Sequence, residues 1–161
     1  MKLGTVASCM TSPAYYVETS TPIREVAHLM NDKNIGFVPI VKDEYLVGVV
    51  TDRDIVIRGV VKDILDQNIE TIMSSYDVMT VWPDTSIKEA AEIMARYMIS
   101  RLVVTYDGKI VGVVSAKNLL EADNYSITMT KLFYQNKSNP DYQTYLQDNK
   151  LYSVRVDTFR L

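Results

Sequence analysis

Cysteine occurs once in these 161 residues, as Cys9, which rules out an internal disulfide and with it the small disulfide-stapled scaffolds of secreted proteins. Histidine also occurs once, as His28, so no His/Cys set of zinc-ligand spacing exists. The six glycines form no GxxxxGK[ST] phosphate loop, no GxGxxG fingerprint and no GxSxG elbow, leaving no catalytic set in view. Long apolar runs are missing too. Leu46 to Val50 and Leu102 to Val104 are strand-sized, against the roughly 20 residues of a membrane helix. The first residues lack the basic-then-apolar pattern of a signal peptide. Neither sign of charge dominates: 17 basic and 20 acidic residues leave a net charge of −3, without the basic footprint that duplex DNA or RNA requires. The expectation is a cytoplasmic protein with no membrane and no nucleic-acid partner, and with enough apolar content, 47%, to bury a core.

What the chain does contain is an internal repeat, the feature whose oversight most easily misassigns a fold. Shifting the sequence by 64 positions aligns Ile23 to Ile55 with Ile87 to Leu119 without a gap, and ten of the 33 pairs are identical. Each copy opens on a helix-start signal: Thr21 before Pro22, and Thr85-Ser86 with Glu89 three residues on. Apolar residues follow at helical spacing, Ile23, Val26, Ala27 and Met30 in one copy, Ile87, Ala90, Ala91 and Met94 in the other.

Two β-rich runs come next in each copy, Val38 to Val41 with Leu46 to Val50, and Leu102 to Thr105 with Ile110 to Val114. Asp107-Gly108 is the clearest hairpin turn. Past Thr51 or Ser115 a second helix is predicted, Asp54 to Val60 or Asn118 to Ala122, so the unit reads strand, helix, strand, strand, helix. A sheet this small leaves an apolar face uncovered, so two copies are expected to pack as a pair with a crevice between them.

The run Gly48-Val-Val-Thr51-Asp-Arg-Asp54-Ile and its weaker echo Gly112-Val-Val-Ser115-Ala-Lys-Asn118-Leu resemble the signature that closes each CBS domain. The resemblance spans roughly Val6 to Ala122 and is similar to the small stand-alone CBS pair proteins of bacteria. It implies an α+β fold of two pseudo-symmetric CBS repeats, each a small sheet with two helices, packed as a CBS pair or Bateman module. The boundaries expected are 1–60 and 69–123 for the two domains, 61–68 for a linker, and 124–161 for a C-terminal tail of unknown role. It further implies an adenosyl ligand between the domains, AMP, ADP, ATP or a relative such as S-adenosylmethionine, and assembly as a homodimer.

Residue chemistry bears on the same ligand. A carboxylate accepting from adjacent ribose hydroxyls makes charge-assisted hydrogen bonds, and Asp54 is the candidate. Thr51, at a helix start, stands to serve the ribose or α-phosphate, or simply to cap the helix. The family takes its phosphate cations from the opposite domain, and Arg101, next to Ser100, and Lys117 match those positions. The base is expected against Met79 and Thr80, with Val49 or Val50 on its other side. The mirror-related site reads as weaker: Asn118 replaces the carboxylate and Phe37 stands where Arg101 does, leaving Arg53 as the cation with Ser115, Tyr15 and Tyr16 nearby. One good site per chain is therefore expected.

His28 reads as a surface residue, and Asp52 with Asp54 falls short of an oxygen-rich metal cage, so neither a metal nor a catalytic cofactor is expected. The methionines read as core fillers or pocket liners. In the tail, Leu151 to Leu161 partly alternates, as a short strand would, after a turn at Asn139-Pro140. It is expected to pack on its own dimer or to dock a regulated protein partner. The leading reading is a non-enzymatic nucleotide sensor; the alternative is a dimerisation or protein-interaction module with vestigial ligand sites.

Overall fold

The computed structural model describes residues 4–76 and 78–122. The predicted tail strand and turn, and with them the whole of 124–161, lie outside the described residues. The described residues divide into two compact units, one within 15–78 and one made of 4–14 together with 79–122. The expected boundaries 1–60 and 69–123 follow the repeat along the sequence, whereas these units group residues by contact in space. Residues ahead of the first repeat belong with the second, and residues 69–78 belong with the first.

In the first unit β1 (Val17–Glu18) precedes helix α1 (Ile23–Lys33), and strands β2 (Phe37–Lys42) and β3 (Tyr45–Thr51) form a hairpin. The sheet order is β1-β2-β3, with β1 parallel and β3 antiparallel to the central strand. The apolar stripe of α1 is buried as expected: Ile23, Val26 and Met30 join Val38, Ile40, Val50, Ile55, Ile69 and Ile72 in one core. His28 is exposed, as expected of a polar helix face.

Thr21 does not cap α1. Pro22 occupies the N-cap position with no side-chain cap bond, because the first helical N–H groups are met by backbone: Ile23 N donates to Gln67 O and Arg24 N to Leu65 O, both at 2.9 Å. The acceptors Leu65 and Gln67 lie in the segment 61–68, the linker expected between the repeats. The segment folds back onto its own repeat, packing Ile64 and Leu65 against the core.

The second helix differs from expectation as well. It starts at Asp52, as helix α2 (Asp52–Asp54), and continues through Ile55–Val60 in π-helical form. Gly59 in that stretch packs so closely that a Cβ would lie 3.3 Å from Ile23 Cγ2.

The second unit repeats the plan with β4 (Thr80–Val81), α3 (Ile87–Tyr97), β5 (Arg101–Tyr106), β6 (Lys109–Ser115) and α4 (Ala116–Ala122). Its sheet runs β4-β5-β6 with the same directions. Here the expected cap is present: Ser86 accepts from Glu89 N at 3.1 Å. Thr85 serves the preceding turn, its hydroxyl accepting from Trp82 N at 3.0 Å.

Asp107 and Gly108 both take positive φ, 51° and 73°, as a two-residue hairpin turn of the primed type requires. Asp43 and Glu44 do the same at 51° and 69°, although neither is glycine. Both hairpins change register at the same place, between Ile40 and Val41 and between Val104 and Thr105.

In each unit a segment from outside the repeat packs against the glycine of the hairpin. Val49 exchanges two 2.9 Å backbone bonds with Ser74, and Val113 pairs likewise with Thr11 at 2.9 and 3.0 Å. A Cβ at Gly48 would lie 2.7 Å from Met73 Sδ, and one at Gly112 would lie 2.8 Å from Met10 Sδ. Hydrogen in place of a side chain is what admits both segments. No helix among the described residues is long and apolar enough to cross a membrane.

Candidate functional site

At the end of β3 the chain turns sharply into α2, and the turn is closed by its own residues. The Thr51 hydroxyl donates to Asp54 Oδ2 at 2.7 Å and Thr51 N–H donates to the same oxygen at 3.0 Å. Asp54 N–H in turn donates to Thr51 Oγ1 at 3.2 Å. This is a reciprocal capping box. It buries the Asp54 carboxylate to 5% exposure and spends only one of its oxygens.

The other oxygen, Oδ1, lies 3.5 Å from Arg58 Nη2, four residues along the helix. Arg58 extends further, with Nη1 donating to Ile72 O at 2.8 Å and to Ser74 Oγ at 3.4 Å. Sequence reasoning passed over Arg58. Its i,i+4 spacing from Asp54 within a predicted helix was the available signal.

The second unit carries the same box in neutral form. Asn118 Oδ1 accepts from the Ser115 hydroxyl at 2.7 Å and from Ser115 N–H at 2.9 Å, while Asn118 N–H donates to Ser115 Oγ at 3.1 Å. The position matching Arg58 is Ala122. Carboxylate and guanidinium are thus replaced together by amide and methyl.

The remaining predicted residues fall as follows. Arg101 begins β5, half-buried, as the cross-strand partner of Ser115, and Phe37 occupies the same place opposite Thr51. Lys117 is exposed and 3.7 Å from Glu121, a surface pair that holds its ammonium only weakly. Arg53 is exposed on the first turn of α2. Ser100 accepts from Ala116 N at 2.9 Å through its carbonyl. Tyr15 and Tyr16 are exposed, with Lys33 Nζ 5.2 Å from the centroid of the Tyr15 ring.

Most of the predicted base-binding residues are enclosed. Val50 and Met79 are 0% and 1% exposed, and Val49 is also buried. Val49 spends its N–H and C=O on Ser74, and Met79 O accepts from Val103 N at 3.4 Å. Thr80, half-buried, pairs with Val103 in β4. Within single units, then, Thr51 is brought together with Asp54, Ser115 with Asn118, and Arg101 with Ser115. Among the described residues no group of three or more His, Cys, Asp or Glu is arranged to hold a metal ion.

A family model for the CBS domain matches residues 6–59 and 61–125. The CBS domain-containing protein YhcV of Bacillus subtilis (strain 168) is 28% identical over 138 residues, covering 83% of this chain and 99% of its own. Among solved structures, the CBS domain pair of protein MJ0100, in complex with 5′-methylthioadenosine and S-adenosyl-L-methionine, superposes with a TM-score of 0.67 at 27% identity over 74% of this chain and 95% of that one. CBSX2 in complex with AMP gives a TM-score of 0.63 at 25% identity, over 73% and 94%.

Proposed function

The chain belongs to the CBS-domain family and carries two copies of the domain, and on that premise we propose that it is a regulatory module binding an adenine nucleotide of the AMP, ADP or ATP class. In this reading Asp54 and Thr51 hold the ribose, and Arg101 and Lys117 take the phosphate. The ligands named for MJ0100 and CBSX2 support the first half, since all three are adenosine derivatives with a common ribose diol. They diverge beyond the ribose, where cationic side chains favour a phosphate over a sulfonium.

The observation that carries the proposal is the charge at Asp54. The Ser115–Asn118 box builds the same turn with a neutral amide at matching distances, so the turn itself does not call for a carboxylate. Burying an ionised group is costly unless it is paired and hydrogen-bonded. The extra charge, its guanidinium partner and one carboxylate oxygen outside the box are what a diol-binding acceptor needs and a cap does not.

A dimerisation or protein-interaction module is favoured instead by Val56, Val60 and Val61, apolar side chains left exposed along and just past the π-helical turn. Isothermal titration calorimetry with AMP, ADP, ATP and S-adenosylmethionine separates the two. Micromolar binding near one ligand per chain, lost in Asp54→Ala, supports the sensor. Absence of binding by all four supports the interaction module, for which sedimentation against concentration then gives the oligomeric state.

A further inference from the structure

Asp54 and Ser74 are separated by twenty residues yet joined through a single side chain. Arg58 sits between them, one end 3.5 Å from Asp54 Oδ1 and the other 2.8 Å from Ile72 O and 3.4 Å from Ser74 Oγ. The Arg58 side chain is largely buried, 21% exposed, where a planar fork held at both ends transmits a displacement rather than absorbing it. Ser74 is buried too, and its backbone is tied to Val49, two residues before the Thr51 cap. The Ile72–Ser74 stretch lies just ahead of Val78, where the first unit ends and the chain passes to Met79 of the second. In the second repeat the arrangement is absent at its root, because Asn118 and Ala122 replace Asp54 and Arg58.

We infer that Arg58 is a positioning residue that couples occupation of Asp54 to the hold on residues 72–74, so that this unit, and not its repeat, relays the presence of ligand toward the junction of the two units. The inference rests on the reading of Asp54 as the ribose acceptor. Hydroxyls donating to Oδ1 compete with Nη2, whose contact is long for a charge-assisted hydrogen bond. The guanidinium released from Oδ1 keeps its bonds to Ile72 O and Ser74 Oγ. Binding therefore tightens the 72–74 segment instead of loosening it.

Amide hydrogen exchange tests this in two arms. Without ligand, the Ser74 amide, which donates to Val49 O at 2.9 Å, is followed in the wild type, Asp54→Asn, Arg58→Ala and the double variant. Arg58→Ala, which removes the bonds to Ile72 O and Ser74 Oγ, is expected to speed Ser74 exchange; Asp54→Asn, which weakens the pull of Oδ1 on Nη2 as a ligand would, is expected to slow it; and the double variant is expected to match Arg58→Ala, as coupled residues do. Asp54→Asn/Arg58→Ala recreates the pair that the second repeat already carries, so it is expected to fold. Additive effects, or none at Ser74, overturn the coupling.

With saturating AMP, Ser74 exchange is expected to slow severalfold in the wild type and to stay unchanged in Arg58→Ala and in Arg58→Lys, whose single ammonium does not span both ends. AMP that binds without changing Ser74 exchange overturns the inference while leaving the nucleotide reading intact. Failure of AMP to bind at all removes the nucleotide reading and the relay built on it, and the ligand-free arm still reports whether Arg58 joins Asp54 to Ser74.

Discussion

The Thr51 hydroxyl lies 2.7 Å from Asp54 Oδ2, and 64 residues on the Ser115 hydroxyl lies 2.7 Å from Asn118 Oδ1. Two copies of one turn are thus closed by groups that are nearly isosteric and differ by a full charge. The protein supplies its own control for what that charge contributes.

Asp54→Asn is expected to preserve the turn, as Asn118 does, and to separate stability from binding. Asp54→Ala should weaken AMP binding by about 1.5 to 3 kcal/mol, the range for a lost hydrogen bond to a charged group, with Asn118→Ala costing clearly less. Calorimetric titration of the three variants beside urea denaturation checks this. Equal binding losses at Asp54 and Asn118 would refute the one-sided assignment.

In the proposed function Arg101 serves the phosphate and not the nucleoside. Arg101→Ala is therefore expected to weaken AMP by about tenfold or more while leaving adenosine affinity nearly unchanged. Raising the salt concentration should weaken AMP in the wild type and have a smaller effect in the variant. A loss shared by AMP and adenosine would place Arg101 elsewhere.

The hairpin glycines differ in what they avoid. At Gly112 a Cβ would come within 2.9 Å of Thr11 O, and at Gly48 within 3.1 Å of Ser74 O, both backbone atoms held by paired bonds. Gly112→Ala and Gly48→Ala should each cost about 1 to 3 kcal/mol, with Gly112 the worse. Gly108→Ala meets nothing within 4 Å and carries only the strain of φ +73°, so it should cost about 1 kcal/mol. Chemical denaturation of the three variants ranks them.

Cys9 is half-buried, and desolvation raises its thiol pKa above the ordinary value. Less thiolate is present at any given pH in the folded state, so alkylation by iodoacetamide at mildly alkaline pH should be slower than in urea. The sign for stability follows. The folded thiol holds its proton to higher pH than the unfolded one, so the contribution is intact below the unfolded pKa and declines as pH rises toward the folded value. Cys9→Ser should flatten that alkaline decline.

Much of this architecture is legible without coordinates. The 64-residue offset, the stripes of α1 and α3, both hairpins and the Ser86 cap follow from local periodicity and turn chemistry, which act over a few residues and leave their trace in composition. Thr21 shows where such reasoning stops. Its cap signal was sound, but Leu65 and Gln67 carbonyls, more than forty residues away, take the N–H groups it would have met. The π-helical turn, Asp43-Glu44 in a glycine-free tight turn, and Arg58 as the link from Asp54 to Ser74 have the same origin.

By itself the sequence determined the repeat, the order of elements within it and the signature residues Thr51 and Asp54. Tertiary structure decided which segments group together, placing 69–78 with the first repeat and the stretch before Tyr15 with the second. The physical reason is that backbone hydrogen bonds and close glycine contacts carry no side-chain pattern. Ser74 on Val49 and Thr11 on Val113 are chosen by pairing between distant carbonyl and N–H groups, and every residue but proline has both.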